Sequence, residues 1–578
     1  MSRTFDRYSP LGSALDNEHA RAALEQEIPD VVASPLAEAL RTAPLGGFLQ
    51  FVLRPDTAKV QELLTALETI EDTSEQPEEA VPIEPAADYE PGSVPRGSAH
   101  VRTPDSAARN ETVEIAFDGP SHGNPFVEVE LRARFQQGSD IVIVGGFYDG
   151  GGRYLARFLP PAAGTWTFVT ESNARSLDGI SGTVAVAEGD ARGPVRVAER
   201  GNFAHSDGTP FVGFGTTAYA WTHQSAQLQD QTIESLAQAP FNKIRMGLFP
   251  KDYLYNKNEP ESFVFPRTDD GWDTTRFDLD YFANLERRIR QLAALGIEAD
   301  LILFHPYDRW GFSRLGAAAD ERYLTYVVRR LAGFPNVWWS MANEYDLLTA
   351  KRPEDWHRLA RVVAREDHVG HLLSIHNWVE IFDFSAEWAT HASIQRGDAE
   401  MGGLIDEWRH RWGKPVAVDE FGYEGDLDQG WGNLTAEAVV QRFWSGTLRG
   451  GHLTHGETFW SEDEIIWWSR GGHLRGGSPA RIAFLKRIVA ESPTGRVEAL
   501  PGDWDAVTGG VAGEYVLIYF GDHRPRFRDV AVPQGMRAEI DIIDTWQMTI
   551  TPLPGTYEDT VRLQLPARPG IALRLRAV

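Results

Sequence analysis

Two glutamates stand where a pair of carboxylates could do acid, base and nucleophilic work. Glu344 ends the apolar run in WWSMANEYD, and Glu420 ends the run in VAVDEFGYE. One carboxyl that protonates a leaving oxygen and a second that attacks the adjacent carbon can cleave a glycosidic bond when both face it. Double displacement needs them about 5–5.5 Å apart, and inversion through a water about 6.5–9.5 Å. Sequence spacing leaves that choice open, and each glutamate also has an ordinary use as a helix cap or ion-pair partner. In the double-displacement assignment Glu420 attacks the anomeric carbon while Glu344 protonates the departing oxygen. Glu344 then activates the water that releases the sugar, its proton affinity falling once the neighbouring charge is consumed.

Other polar and aromatic residues end apolar runs in the same way. Asn343 offers an amide to a sugar hydroxyl, and Arg245, ending FNKIRMG, is placed either to orient Glu420 or to form a structural ion pair. Asp419 points away from Glu420 if its strand stays regular. A polar wall is expected from His305, Tyr307, Asp308 and Trp310 in LILFHPYDRWG, His376 and Trp378 in LLSIHNW, and Gln395 in HASIQ. His455, Glu457 and Trp460 in LTHGETFW and Trp221 in TTAYAW complete the set. Histidines and acids suit sugar hydroxyls and indole faces suit apolar ring faces, with core packing the competing use of each tryptophan.

Metal and nucleotide chemistry are disfavoured. The chain has no cysteine, HNWVE is not HEXXH, and GGFYDGGGR lacks the Lys-Ser/Thr of a phosphate loop. No cofactor and no metal are therefore expected. A net charge of −27 argues against nucleic acid or an anionic membrane as partner. The first residues carry no long apolar segment, which reads as a cytoplasmic protein whose substrate is small enough to be imported.

The elements that would position these residues follow from pattern and length. A chain of 578 residues, 42% apolar, implies two to four domains. Residues 1–70 read as a small helical extension that must pack on another domain or on a second copy of the chain, a route to a homo-oligomer. Residues 71–110 are an acidic, Pro-rich linker or wrap. Residues 111–200 carry short alternating runs between turn signals, an antiparallel β-sandwich that braces the catalytic domain or binds carbohydrate. From 201 to 492 eight apolar strands alternate with helical runs, as in a (β/α)8 TIM barrel, where ligands sit at the C-terminal strand ends. Residues 493–578 return to strands, a second β-sandwich. The fold class is thus multidomain α/β.

With these residues in place the chain resembles the clan A-like superfamily of retaining (β/α)8 glycosidases. That superfamily has an Asn-Glu pair after strand four, matched by Asn343 and Glu344, and a nucleophilic Glu after strand seven, matched by Glu420. Arg245 matches its basic residue after strand two. The resemblance implies acid/base, nucleophile and 2-hydroxyl-binding roles for Glu344, Glu420 and Asn343. The arrangement is also similar to bacterial proteins with a DUF5060-like sandwich, a DUF4038-like or apiosidase-like barrel and a DUF5605-like end. GNPFVEVEL, GGFYDGGGRYLARFLPPAAGTWTF, GNFAHSDGTPFVGFGTTAYAW, FNKIRMGLFP and IIDTWQMTI carry that similarity. Strand six departs from the broader pattern: HASIQ offers His391 and Gln395 where relatives place an aromatic hydroxyl or His beside the nucleophile. The expected activity is exo-cleavage of a small plant glycoside or oligosaccharide, with a transglycosylase or a carbohydrate-binding barrel without turnover as the competing readings.

Overall fold

A computed structural model describes residues 3–54, 56–74, 82–269 and 271–578. Eight strands form its central sheet: β1 Phe214–Thr217, β2 Lys243–Gly247, β3 Glu298–Ile302, β4 Val337–Ser340, β5 Leu373–Ser374, β6 Ala392–Gln395, β7 Val416–Glu420 and β8 His452–His455. Their order is β5-β4-β3-β2-β1-β8-β7-β6, with every neighbouring pair parallel. A parallel bridge between His376 and Ser393 joins the two ends of the sheet into a barrel. Every residue of β2, β3 and β7 is buried. Barrel strands are covered on both faces, so these runs read as continuous rather than alternating.

Among the described residues, seven longer helices surround the sheet: α1 Ala226–Gln238, α2 Leu279–Ala294, α3 Ala317–Leu331, α4 Pro353–Glu366, α5 Met401–Trp412, α6 Ala436–Leu448 and α7 Ser478–Ala490. Ser225, Asp278 and Thr435 start α1, α2 and α6 by accepting first-turn backbone N–H groups, which satisfies donors that the helix leaves free. The fifth of the eight expected units is incomplete. Among the described residues no helix joins β5 to β6, and the chain instead makes a turn at Trp378, Val379 and Glu380 whose three N–H groups donate to Asp346 at 2.5–2.7 Å.

The barrel interior is layered. A small sheet of residues Val195–Ala198, Asn202–His205 and Pro210–Phe211 closes the bottom. Its Phe203 packs against Trp338, His391 and His452 at 5.1, 5.5 and 4.5 Å between ring centroids. Above this floor the Lys243 ammonium donates to Asp300 at 3.0 Å and Asp419 at 2.6 Å, and Ser393 and Thr454 also donate to Asp419, each at 2.6 Å.

Three further regions pack on the barrel. A four-stranded and a five-stranded sheet, between residues 100 and 187, share an apolar cluster that includes Phe117, Phe135, Phe158 and Trp166. Arg157 ties this region down with two hydrogen bonds to Glu286 of α2, at 2.6 and 2.8 Å. Part of the expected linker belongs to these sheets, because His100–Arg102 pairs antiparallel with Val113–Asp118. Residues 75–81 of that linker lie outside the described residues. A six-stranded sheet follows α7, with the Tyr515 hydroxyl donating to the Ile488 carbonyl at 2.8 Å. The N-terminal helices build their own apolar cluster and dock on the β4 and β5 loops through Arg7–Glu380 at 2.8 Å, Arg352–Asp6 at 2.6 Å and a Phe51–Trp378 stack at 5.4 Å. The helical extension thus covers the barrel of its own chain. No helix among the described residues is long and apolar enough to cross a membrane.

Candidate active site

β4 and β7 deliver the two glutamates to one point. Glu344 follows β4 in a left-handed conformation, φ 49°, and its side chain is buried with 5% of the residue exposed. Glu420 closes β7 and is 9% exposed. Gln395, at the end of β6, sits between them with its amide nitrogen 3.2 Å from both Glu420 Oε2 and Glu344 Oε1. The amide is assigned this way because the reverse orientation would set its oxygen against two carboxylates. This bridge holds the two facing oxygens to within twice that distance.

β7 brings both of its acids inward, contrary to the expectation for a regular strand. Its register against β6 shifts between Ile394 and Gln395, so that Gln395 pairs with Glu420 and Asp419 is skipped. A bulge of this kind re-aims a side chain. Asp419 therefore meets Lys243 in the lower layer while Glu420 meets Arg245 and Gln395 above it.

Each carboxylate has its own donors. Tyr219, just after β1, donates its hydroxyl to Glu420 Oε1 and lies 3.2 Å from Asn343 Oδ1. Arg245 reaches Glu420 Oε1 at 3.5 Å and Asn343 Oδ1 at 3.1 Å. Asn343 in turn donates to Glu344 Oε2 at 3.2 Å, and the Tyr307 hydroxyl donates to the same oxygen. Burial, then the charge of Glu420, push the Glu344 carboxyl up to about 8, against the lowering effect of the Tyr307 hydrogen bond. Burial and the nearby glutamates keep the Tyr219 and Tyr307 phenols well above their ordinary range, so both remain donors. His376 is fully buried with Nδ1 3.9 Å from Glu420 Oε1, and burial followed by Arg245 keeps its ring neutral.

Several expected wall residues lie elsewhere. His305 Nε2 donates to the Phe249 carbonyl, 3.1 Å away, and the ring is held down to about 4 chiefly by burial. Asp308 accepts the backbone N–H groups of Trp310, Gly311 and Ser313 at 2.6–3.0 Å, which shapes the β3 loop. Trp310 packs on Phe263 and donates to Glu259 at 3.1 Å in that loop. Trp378 carries the N-terminal helices, and Trp460 is 54% exposed on the β8 loop. Trp221 is a core residue, fully buried beside α1 and Arg288. His455 stacks on Phe241 at 4.8 Å between the barrel and its helices, and Glu457 accepts the Arg475 N–H at 2.7 Å, so neither is part of the pair's surroundings. Packing governs these positions: alternation along β8 turns His455 to the helix side while Thr454 faces Asp419.

Tyr219 and Lys251 were absent from the expected site. Tyr219 ends the same apolar run that marks β1, so the strand-end criterion that singled out the others applies to it equally. It supplies from strand one the aromatic hydroxyl that strand six lacks. Lys251 lies in a loop after β2 and carries no comparable pattern.

Comparison with known proteins agrees with this architecture. A family profile described as an apiosidase-like catalytic domain matches residues 198–486, and two domains of unknown function, DUF5060 and DUF5605, match 107–173 and 504–576. A provisionally assigned glycoside hydrolase from Bacteroides vulgatus ATCC 8482 is similar in structure at TM-score 0.79 and 37% identity, over 82% of this chain and 100% of that one. A glycoside hydrolase family 5 protein from the same organism shares the fold at TM-score 0.54 and 16% identity, over 67% of this chain and 93% of that one. The search of curated proteins returned no match. With the barrel, the flanking family regions and a relative matched along its whole length, the chain belongs to the apiosidase-like family of (β/α)8 glycoside hydrolases.

Proposed function

We propose that the chain is a retaining, exo-acting glycosidase that cleaves a small glycoside or oligosaccharide by double displacement, with Glu344 as acid/base and Glu420 as nucleophile. The observation that carries this reading is the unequal environment of two bridged carboxylates. Glu344, raised to about 8, enters the reaction protonated at neutral pH, as a general acid must. Glu420 faces Arg245 and the Tyr219 hydroxyl, which donate to it and orient its oxygens for attack. The Gln395 bridge allows a separation in the range of about 5–5.5 Å that double displacement needs.

In the first step Glu420 forms a bond to the anomeric carbon as the bond to the leaving oxygen breaks, and the Glu344 proton moves to that oxygen. Glycosylation removes the charge of Glu420 and with it one cause of the raised proton affinity of Glu344. Glu344 then takes a proton from water as the water oxygen displaces Glu420. Asn343, held by Arg245 and beside Glu344, offers an amide to a sugar hydroxyl. Exo-action is supported by the near-complete burial of the pair, which suits a terminal sugar better than the interior of a polymer. The two flanking β regions are read as sandwiches that brace the barrel, as the Arg157–Glu286 contact illustrates.

The test is a panel of small pyranosides and furanosides, with natural and activated leaving groups, turned over by the native protein, E344Q and E420Q. Loss of turnover in E420Q for every leaving group, with E344Q partly spared on activated ones at the glycosylation step, is the expected pattern. Binding of the same glycosides without turnover by the native protein would favour a carbohydrate-binding barrel instead.

A further inference from the structure

Lys251 is a buried ammonium with an unusual set of neighbours. It is 4% exposed, and its Nζ lies 4.0 Å from the ring centroid of Tyr219, 4.2 Å from that of Tyr307, 4.2 Å from that of Trp468 and 5.5 Å from that of Tyr253. Among the described residues no carboxylate lies within ion-pair distance, 4.0 Å, of that nitrogen. Burying an ammonium without a hydrogen-bonding counter-charge is costly, and the negative faces of aromatic rings supply part of what water would give. Two of the four rings are the phenols that donate to the glutamates: Tyr219 to Glu420 and Tyr307 to Glu344.

We propose that Lys251 is a positioning residue of the catalytic pair, its cation seated on the faces of the two tyrosines whose hydroxyls hold Glu344 and Glu420. A cation on a phenol's ring face withdraws electron density and makes its hydroxyl a stronger donor. One charge thereby acts on both carboxylates through their own hydrogen bonds, in addition to its direct field. The charged and titratable groups around it are Glu344 from the end of β4, Glu420 from β7, Arg245 from β2, His305 from the end of β3, and the three tyrosines. Glu344 and Glu420 favour the charged lysine while Arg245 opposes it. Burial is the larger influence and pushes Lys251 down to about 8, while His305 is held neutral. The lysine charge thus lowers the proton affinity of Glu344, and the Glu344 carboxylate favours the charged lysine.

The assignment deepens the glycosidase reading and rests on it for its kinetic test. The alkaline limb of kcat/KM is measured for the native protein, K251M and K251R on one glycoside with an unactivated leaving group, whose departure needs the Glu344 proton. K251M removes the cation, so Glu344 keeps its proton to higher pH and the limb is expected to move up by roughly one pH unit. K251R keeps a permanent cation that can stack on the same rings, so its limb stays at or below the native position. A K251M limb that does not move, or that moves together with K251R, overturns the proposal. A second measurement needs no turnover: the Lys251 titration is followed by NMR in 15Nζ-lysine-labelled native protein and in E344Q, with K251R used only to assign the signal. Its midpoint is expected to fall in E344Q, where a neighbouring negative charge is lost, and an unchanged midpoint overturns the proposal. Absence of turnover across the glycoside panel would sink the glycosidase reading while leaving this second result to decide the role of Lys251.

Discussion

Glu344 is held where a side chain rarely rests. Its φ of 49° lies in the left-handed region, which costs a non-glycine residue of order 1–3 kcal/mol and persists where surroundings over-determine it. Here the Tyr345 N–H donates to the His376 carbonyl at 2.9 Å, and Asn343, Tyr307 and Gln395 converge on the carboxyl. At this scale the pH dependence is set by Glu344: the acid is protonated below about 8, so kcat/KM on natural leaving groups is expected to decline as pH rises through that value. A pH–rate profile checks this, and activated leaving groups should show a weaker decline because they need less protonation. Tyr219→Phe removes a hydrogen bond to a charged group, a loss of about 1.5–3 kcal/mol, or roughly ten- to a hundred-fold in kcat/KM, measurable by steady-state kinetics with the fold monitored by circular dichroism. Both glutamates and Arg245 were legible in the sequence because each is a charged residue ending an apolar run. Glu457, Asp308 and His455 share that local pattern, and what separates them is the direction in which the chain turns after the strand, which a run of residue types does not encode.

At the scale of the element, β7 is the strand on which the site depends. Its bulge lets Asp419 join the buried Lys243–Asp300 layer while Glu420 meets Arg245 and Gln395 above it. Asp419→Ala leaves Lys243 with one fewer counter-charge and Ser393 and Thr454 without their acceptor, and breaking such a buried pair costs about 3–5 kcal/mol. Chemical denaturation should register a loss of that order, and activity should fall with it because the layer below carries Arg245 and Glu420. A change within about 0.5 kcal/mol, the range of ordinary surface substitutions, would show that the layer is not a support. The barrel itself was readable from eight apolar runs and their helices. The missing helix between β5 and β6 was not, because eight strand–helix units imply a helix after every strand. Asp346 instead collects three backbone N–H groups of that connection into a turn.

Over the whole molecule, three regions brace one barrel, and the N-terminal helices do so at the loops nearest the site. Phe51 stacks on Trp378, one residue from Asn377, which exchanges hydrogen bonds with the backbone of Gln395. Phe51→Ala removes an aromatic pair worth about 0.5–1.5 kcal/mol beyond its area, so hydrogen exchange across Leu45–Val52 and Thr57–Leu67 is expected to speed up while the barrel strands stay protected. Equal acceleration in the barrel would mean that the helices and the barrel open as one unit. That the chain holds helical, β and barrel regions was legible in its changing periodicity. Which surfaces meet was not, because contacts such as Arg7–Glu380 and Arg157–Glu286 join residues far apart in sequence through side chains that look like ordinary surface charges. The central claim concerns the pair on which all these regions converge, and one measurement addresses it most directly. Hydrolysis of a glycoside found in the panel is followed by NMR from the first turnovers, before mutarotation scrambles the product. Double displacement by Glu420 and Glu344 predicts that the first sugar released keeps the anomeric configuration of the substrate; release of the opposite anomer would contradict it.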